Sequence, residues 1–406
     1  MAALAELDLP VLDYADPELR GERFHERMAE LREHGWLAAT ALGAAVLDRE
    51  SSELFLRSRA TTFPGLKLAE LFDITEGALA EELRRNILCI DGDDHRRLRN
   101  LVNPAFTPRA ANRWRSAMRS FLEELWAPVA SAGACNLVET LCRPYPALTL
   151  ATVMGAPLAD APRLHRWSNL IQKQFDPEAL MTERAEIEQA VEEFYEYAHA
   201  LLAERREADP TGDDPDLMSE LLAAEADGDR LSDVECVNLV LNVLIGGVDT
   251  TQAQLAHTMR LFAEHPEQWA LLRADPTLAG AAVQEALRHE PITPFTARIV
   301  VEEIEHRGVT FPAGTVILVA SFAANRDGVA DGERFDITRT DGGRLVTFGA
   351  GIHYCLGANL AKAELEEALA FLAARIATLE LDGEPAFGSV NGIYGLDALP
   401  LRFTSG

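Results

Sequence analysis

Ten residues late in the chain concentrate its chemistry: Phe348-Gly349-Ala350-Gly351-Ile352-His353-Tyr354-Cys355-Leu356-Gly357. A single cysteine lies in a glycine-rich loop, and a helix-forming run from Leu356 to Ile376 follows directly. A thiol at a helix N-terminus feels the positive end of the dipole, which favours the thiolate. Glycines at 349, 351 and 357 let the backbone turn tightly round the sulfur and aim amide N–H groups at it. A lone thiolate held this way suits an axial ligand to haem iron. Free cysteines are more often packing residues; the composition of this loop argues for ligation.

The next chemical cluster is Gly246-Gly247-Val248-Asp249-Thr250-Thr251, inside a helical pattern running from Leu231 to His265. Ser232-Asp233-Val234-Glu235 reads as a capping box and Pro266 as the stop. The helix between them would be about 50 Å long at its usual rise per residue. Leu239 to Ile245 is apolar nearly all round, so this stretch should be buried. Two glycines within a helix cost roughly 1 kcal/mol each, and a buried acid costs more when unpaired. Violations of this kind mark functional sites. Further along, Glu285 and Arg288 share a helix face at i,i+3, and His95 and Arg99 do so at i,i+4.

The cysteine loop resembles the Phe-Gly-x-Gly-x-His-x-Cys-x-Gly signature of the cytochrome P-450 superfamily, with every fixed position filled. That resemblance implies a mainly α, single-domain haem-thiolate fold with a small β region. It implies haem b (iron protoporphyrin IX) as cofactor, with Cys355 as the iron ligand. Gly247-x-Asp249-Thr250 resembles the family's oxygen-activation motif. By that resemblance Thr250 holds a proton donor at the dioxygen site and Asp249 relays protons from outside. The glycines would leave room for O2 and permit a local kink; the alternative for Thr250 is a simple back-bond to a carbonyl. Glu285-x-x-Arg288 together with Arg339 resembles the family's buried ion-pair network, a structural device. His95, Arg99, Arg298 and His353 fall where propionate partners are expected, and Phe348, Gly349 and Gly357 complete the cofactor cradle. The sequence departs from the usual pattern at Gly246 (alanine is frequent there), at Lys362 (often arginine), and in lacking a proline before Phe335.

Composition bounds the remaining possibilities. Lys and Arg number 37 against 65 Asp and Glu, a net charge of −28, which argues against nucleic acid as partner. From His95 to Leu122 the chain nevertheless carries Arg96, Arg97, Arg99, Arg109, Arg113, Arg115 and Arg119 with no acid. That segment is a candidate docking patch for an acidic partner; the plainer alternative is a solvated helix face. Five cysteines in odd number, without a C-x-x-C pair, suggest neither a disulfide framework nor a zinc site. Residues 1–20 are acidic and lack an apolar run, the wrong pattern for a signal peptide. No stretch approaches the ~18–20 apolar residues of a membrane span. One domain over 1–406, with residues 1–20 as an extended N-terminal segment, and a cytoplasmic location are the expectations.

The elements that must position these groups are mostly helices, rich in Ala, Leu and Glu and separated by Pro/Gly breaks. Trp36 to Leu47 reads as a hairpin broken at Gly43. Ala297 to Glu305 and Val309 to Leu318 read as another, turning at His306-Arg307-Gly308. Gly388 to Phe403 reads as irregular chain ending in a strand.

By family position a substrate pocket would draw on Leu83, Ile87 and Leu88 before His95, on Phe175, on Val243 and Gly246, on Ile292 and Phe295, and on Ile393 and Tyr394. Each could equally be ordinary core. The absence of an obvious cation there favours a neutral lipophilic substrate, terpenoid, steroid or polyketide-like. The reaction implied is insertion of one oxygen atom of O2 into a C–H bond or across a double bond. Electrons would come from an external acidic ferredoxin and its reductase, since 406 residues leave little room for a fused one. Two rivals are a peroxide-driven peroxygenase, which the Asp249-Thr250 pair disfavours, and a haem-binding carrier or gas sensor, which has no use for a proton relay.

Overall fold

A computed structural model describes residues 2–207, 216–226 and 231–406. Helices dominate it, and the strands form small sheets. The chain forms two compact units, one made of Met1–Pro64, Ala253–Cys355 and Ala373–Gly406, the other of Gly65–Gln252 and Leu356–Leu372.

The first unit carries a five-stranded sheet. Its strands in spatial order are Leu37–Thr40, Gly43–Val46, Val316–Ala320, Phe295–Val300 and Thr61–Thr62. The expected hairpin is there, with Leu37 opposite Val46 and Thr40 opposite Gly43. Gly43 is required by packing rather than by the turn: any Cβ at this position would overlap the Val316 carbonyl. The second expected hairpin is divided. Ile304–His306 pairs with Val309–Phe311 through a turn in which Arg307 and Gly308 have φ of 51° and 80°. Phe295–Val300 and Val316–Ala320 pair in the larger sheet instead. The division follows from the exposed bend at 301–303 and from Pro312 and Gly314 (φ 92°), which end the second run. The last strand, Pro400–Ser405, pairs antiparallel with Ile376–Leu381. Against one face of the large sheet packs the amphipathic helix Gly21–His34, burying Phe24, Met28 and Leu31 beside Ala38, Leu318 and Phe322.

In the second unit the helix Asp233–Gly247 begins on the anticipated capping box. Ser232 Oγ accepts from the Glu235 amide at 3.3 Å, and the Ser232 amide donates back to Glu235 Oε2 at 2.8 Å. Such a cap is worth about 1 kcal/mol. The helix is buried from Cys236 to Leu241. The single long helix expected between 231 and 265 is broken at Val248, and a second helix, Asp249–Glu264, continues from there. Among the described residues, Asp233–Glu264 is the one helical stretch long and apolar enough, by length and composition, to cross a membrane; 67% of its most apolar window is buried inside the protein. That burial is the pattern of a core helix.

Candidate functional site

The cysteine loop is built by backbone geometry. Gly349 and Gly351 have φ of 70° and 74°, a region that L side chains rarely adopt. A Cβ on Gly351 would also come within 2.7 Å of the Leu56 carbonyl oxygen. The Gly349 amide donates to the Val346 carbonyl at 2.8 Å and the Cys355 amide to the Phe348 carbonyl at 2.9 Å, closing the loop on itself. Cys355 is half-buried, and the helix Ala358–Ala373 starts three residues after it. His353 ends the one-turn helix Gly351–His353, and the Phe348 ring lies 6.4 Å from Tyr354. Arg298 is buried on the strand Phe295–Val300, its guanidinium donating to the Ala297 carbonyl at 2.9 Å.

Behind the loop the ion-pair network is complete. Arg288 donates to both oxygens of Glu285 at 2.7 and 2.8 Å, and Arg339 reaches Glu285 Oε1 at 3.3 Å. Glu285 also accepts the Asp336 amide at 2.9 Å. Arg288 continues to the carbonyls of Gly332 and Arg334 at 2.7 and 3.0 Å. The helix Ala279–His289 is tied to the start of the cysteine loop as well: Thr347 Oγ1 donates to the Leu287 carbonyl at 2.7 Å, and the Val346 amide donates to Asn325 Oδ1 at 2.9 Å.

In the second unit the break at Val248 places Asp249 at the first position of a helix, where the dipole favours its negative charge. The carboxyl is buried. Ser168 Oγ donates to its Oδ2 at 3.0 Å, and His165 Nε2 stands 3.9 Å from Oδ1. Burial pushes the Asp249 pKa up, with His165 opposing the shift. Thr250 donates its hydroxyl to the Gly246 carbonyl at 2.6 Å, the back-bond that was the plainer alternative. Gly246 is exposed, and a Cβ there would meet nothing within 4 Å. Gly247 is different, since its Cβ would press on Leu150 at 3.2 Å. One glycine thus leaves open space beside the break and the other admits a neighbouring helix, Pro144–Met154.

Three groups around this acid–alcohol pair escaped the sequence reading. Ser168 and His165 come from the helix Ala161–Gln172, some 80 residues upstream of Asp249. The third is Glu364, buried, whose Oε2 accepts from Thr251 Oγ1 at 3.5 Å. Burial pushes its carboxyl well above the ordinary range. The signal for Glu364 was present: an acid on the apolar face of the run that follows the cysteine loop.

His95 is buried on the helix Gly92–Val102, and Arg99, one turn on, donates to Asn103 Oδ1 at 3.1 Å. Of the pocket candidates, Leu83, Ile87, Val243 and Ile292 are buried, while Leu88, Phe175, Phe295 and Ile393 are half-buried. Tyr394 takes a core position rather than that of a wall. Its ring lies 4.7 Å from His257 and 6.0 Å from Phe387, and its hydroxyl accepts the Gly21 amide at 2.7 Å.

The arginine-rich segment does not present bare charge. Arg96 pairs with Asp93 and Arg97 with Glu235; Arg113 meets Glu220 at 2.7 Å, Arg115 meets Glu367 at 2.9 Å, and Arg119 meets Glu367 at 2.5 Å. Five of the seven are ion-paired, by acids distant in sequence except for Asp93.

The donor set fits haem. Among the described residues no group of three or more His, Cys, Asp and Glu could hold a metal by itself. A lone thiol therefore suits a metal whose other ligands come from a macrocycle. The tight cradle of Gly349 and Gly351, and Arg298 buried in the same unit, match a planar anionic cofactor.

The comparisons agree. The family model for Cytochrome P450 matches residues 73–375. The chain is 36% identical over 403 residues to the luteothin monooxygenase of Streptomyces thioluteus, covering 98% of this chain and 96% of the relative. It is 32% identical to the cyclomarin C epoxidase CymV of Salinispora arenicola, covering 85% of this chain and 88% of that one. Among solved structures, CalO2 matches with a TM-score of 0.90 at 29% identity, covering 98% of this chain and all of the other. The chain belongs to the cytochrome P450 family. It is a bacterial-type haem-thiolate oxidoreductase, a monooxygenase that incorporates oxygen from O2 into its substrate.

Proposed function

We propose that this P450 hydroxylates or epoxidises a neutral, lipophilic natural product of polyketide-like character, and that the whole chain, 1–406, acts as one catalytic unit. The substrate class is favoured by the apolar character of the candidate pocket residues. It is favoured too by the relatives named for luteothin and cyclomarin C. One oxygen atom enters a C–H bond or a double bond; the other leaves as water after two electrons and two protons arrive.

Haem b, ligated by Cys355, would supply the reductive activation of O2. His95, Arg99, Arg298 and His353 would hold its propionates by charge-assisted hydrogen bonds, with Phe348, Gly349 and Gly357 shaping the cradle. The chain's own residues then manage protons and water. Asp249 would take a proton from the outer side, where Ser168 and His165 face its carboxyl. Thr250 would deliver it inward, its hydroxyl exchanging the Gly246 carbonyl for the substrate side. The observation that carries this reading is the acid–alcohol pair at the helix break, with open space at Gly246.

Thr250→Ala is expected to keep oxygen consumption but divert most electrons to peroxide and water. Product formed per electron is the measure, and an unchanged yield would refute the assignment. Asp249→Asn, which cannot relay a proton, is expected to lower turnover by about 10²-fold and to enlarge the solvent isotope effect.

An external ferredoxin-type protein is the proposed electron donor. With five arginines already paired, the rate of reduction should depend only weakly on ionic strength. A steep fall with salt would restore steering by the arginine segment.

A further inference from the structure

A fully buried carboxyl, Glu82, has no part in the proton relay proposed above. It sits on the helix Ala78–Arg85, which leads into a turn at 86–90. Its Oε1 accepts from Asn86 Nδ2 at 2.6 Å and from Asn242 Nδ2 at 3.1 Å. Asn242 belongs to the helix Asp233–Gly247, and its Oδ1 accepts the Ile87 amide at 2.8 Å. One side chain on that helix therefore holds both the carboxyl and the backbone of the turn. Asn86 Oδ1 secures the Leu88 amide at 2.9 Å.

The far side of the carboxyl is unsatisfied. Glu82 Oε2 has no hydrogen-bond partner, nor have Gln174 Oε1 and Nε2 or Asn238 Nδ2, all of them buried. The Gln174 amide lies beside Glu82 from the turn Lys173–Phe175. Asn238 lies one helical turn before Asn242, and its Oδ1 accepts the Tyr195 hydroxyl at 2.7 Å. Burial pushes Glu82 up to about 7, against the downward pull of the hydrogen bonds from Asn86 and Asn242 and of the Gln174 amide beside it. The Cys89 thiol and the Tyr195 hydroxyl feel the charge of Glu82, and both are themselves pushed up chiefly by burial. On its own helix Glu81 and Arg85 are engaged with each other at 2.5 Å. Among the described residues no cation reaches Glu82, so an ionised carboxylate here must draw in water or separate the elements round it.

We propose that Asn242 and Glu82 are positioning residues that pin the 86–88 segment to the helix Asp233–Gly247, and that substrate affinity requires Glu82 to keep its proton. The inference rests on the proposed placement of Leu83, Ile87, Leu88 and Val243 at the substrate. Protonated, Glu82 is a neutral member of an amide cluster, with an O–H to offer Gln174. Ionised, it breaks the cluster and releases the turn. The neutral form prevails below the midpoint and is lost as pH rises through it. Affinity should therefore fall with rising pH, by up to about tenfold between pH 6 and 8 for a midpoint near neutrality.

The test uses the intact holoenzyme and econazole, an azole whose binding shifts the haem spectrum. The dissociation constant is measured from pH 6 to 8.5 in the wild type, in Glu82→Gln and in Asn242→Ala. The azole's own titration cancels in the ratio of wild type to Glu82→Gln. That ratio is expected to be near one at pH 6 and to rise towards tenfold at pH 8; an equal pH profile in the two proteins would overturn the proposal. Amide exchange at Ile87, corrected for intrinsic rate, is expected to accelerate at least tenfold in Asn242→Ala at pH 6. Unchanged protection there would show that Asn242 does not pin the turn. If the reduced wild type gives no thiolate-type carbon monoxide spectrum, the failure lies in the proposed function, not in this pin.

Discussion

Cys355→Ser is expected to abolish oxygen insertion while leaving a folded chain. The two hydrogen bonds that close the loop do not involve the sulfur. The closing hydrogen bonds at 2.8 and 2.9 Å are backbone to backbone, and the left-handed turns belong to Gly349 and Gly351. Serine is close in size, and the position is only half-buried, so the stability change should stay under about 1 kcal/mol. What disappears is the thiolate, since a hydroxyl stays protonated at any working pH. No other cluster of metal-ligating residues exists among the described residues to take over. The reduced wild type in carbon monoxide should show the red-shifted absorption peculiar to thiolate ligation. The serine variant should lack it, and product formation should fall below detection. Persistence of that band in Cys355→Ser would mean that another side chain holds the iron.

How much of this could be read in advance depended on sequence distance. The cysteine loop, the capping box at Ser232 and the Glu285–Arg288 pair are local devices, with partners three to ten residues apart. Their spacing reports their geometry directly, and the structure places each as expected. Arg339 was matched to Glu285 across 54 residues by pattern alone. The arginine segment shows where local reading ends. Five of its seven cations are ion-paired, four of them by acids far off in the sequence: Glu235 is 138 residues from Arg97, and Glu367 is 252 from Arg115. A window of sequence holds no trace of such pairs. The same holds for Asp249, legible as an acid out of place in an apolar helix but not as a neighbour of Ser168 and His165. Tyr394 shows the opposite limit. An aromatic residue in an irregular tail can wall a cavity or fill a core, and only the Gly21 amide on its hydroxyl decides for the core.

The hinge of the long helix was half legible. Two glycines permitted a kink, and a break followed, but at Val248. The reason is the hydroxyl of Thr250. By taking the Gly246 carbonyl at 2.6 Å, it competes with the helical ladder where no side chain supports it. Gly246 supplies space and Gly247 close packing, while Thr250 engages the carbonyl, so the motif acts as one unit.

Arg288→Met should produce the largest loss of stability of any single change considered. Arg288 is 1% exposed and Glu285 4%. Removing the guanidinium leaves the Glu285 carboxylate buried with one guanidinium, Arg339, at 3.3 Å, and one amide, Asp336. Breaking a buried pair from one side costs about 3–5 kcal/mol, a large share of the usual stability of a folded protein. The damage should also be directional. Arg288 holds the carbonyls of Gly332 and Arg334, and the same helix anchors Thr347 through the Leu287 carbonyl, eight residues before Cys355. The cysteine loop should therefore loosen before the remainder unfolds. In a urea titration the carbon monoxide band should be lost at a lower concentration than helical circular dichroism, whereas in the wild type the two transitions should lie closer together. Glu285→Gln, which removes the charge but keeps hydrogen-bonding atoms, is expected to cost less than Arg288→Met. The double variant should recover part of the sum, because the two residues share one network. Strict additivity of the two losses would mean that the pair contributes packing alone, and a single coincident transition in Arg288→Met would separate the network from the cysteine loop it is argued to hold.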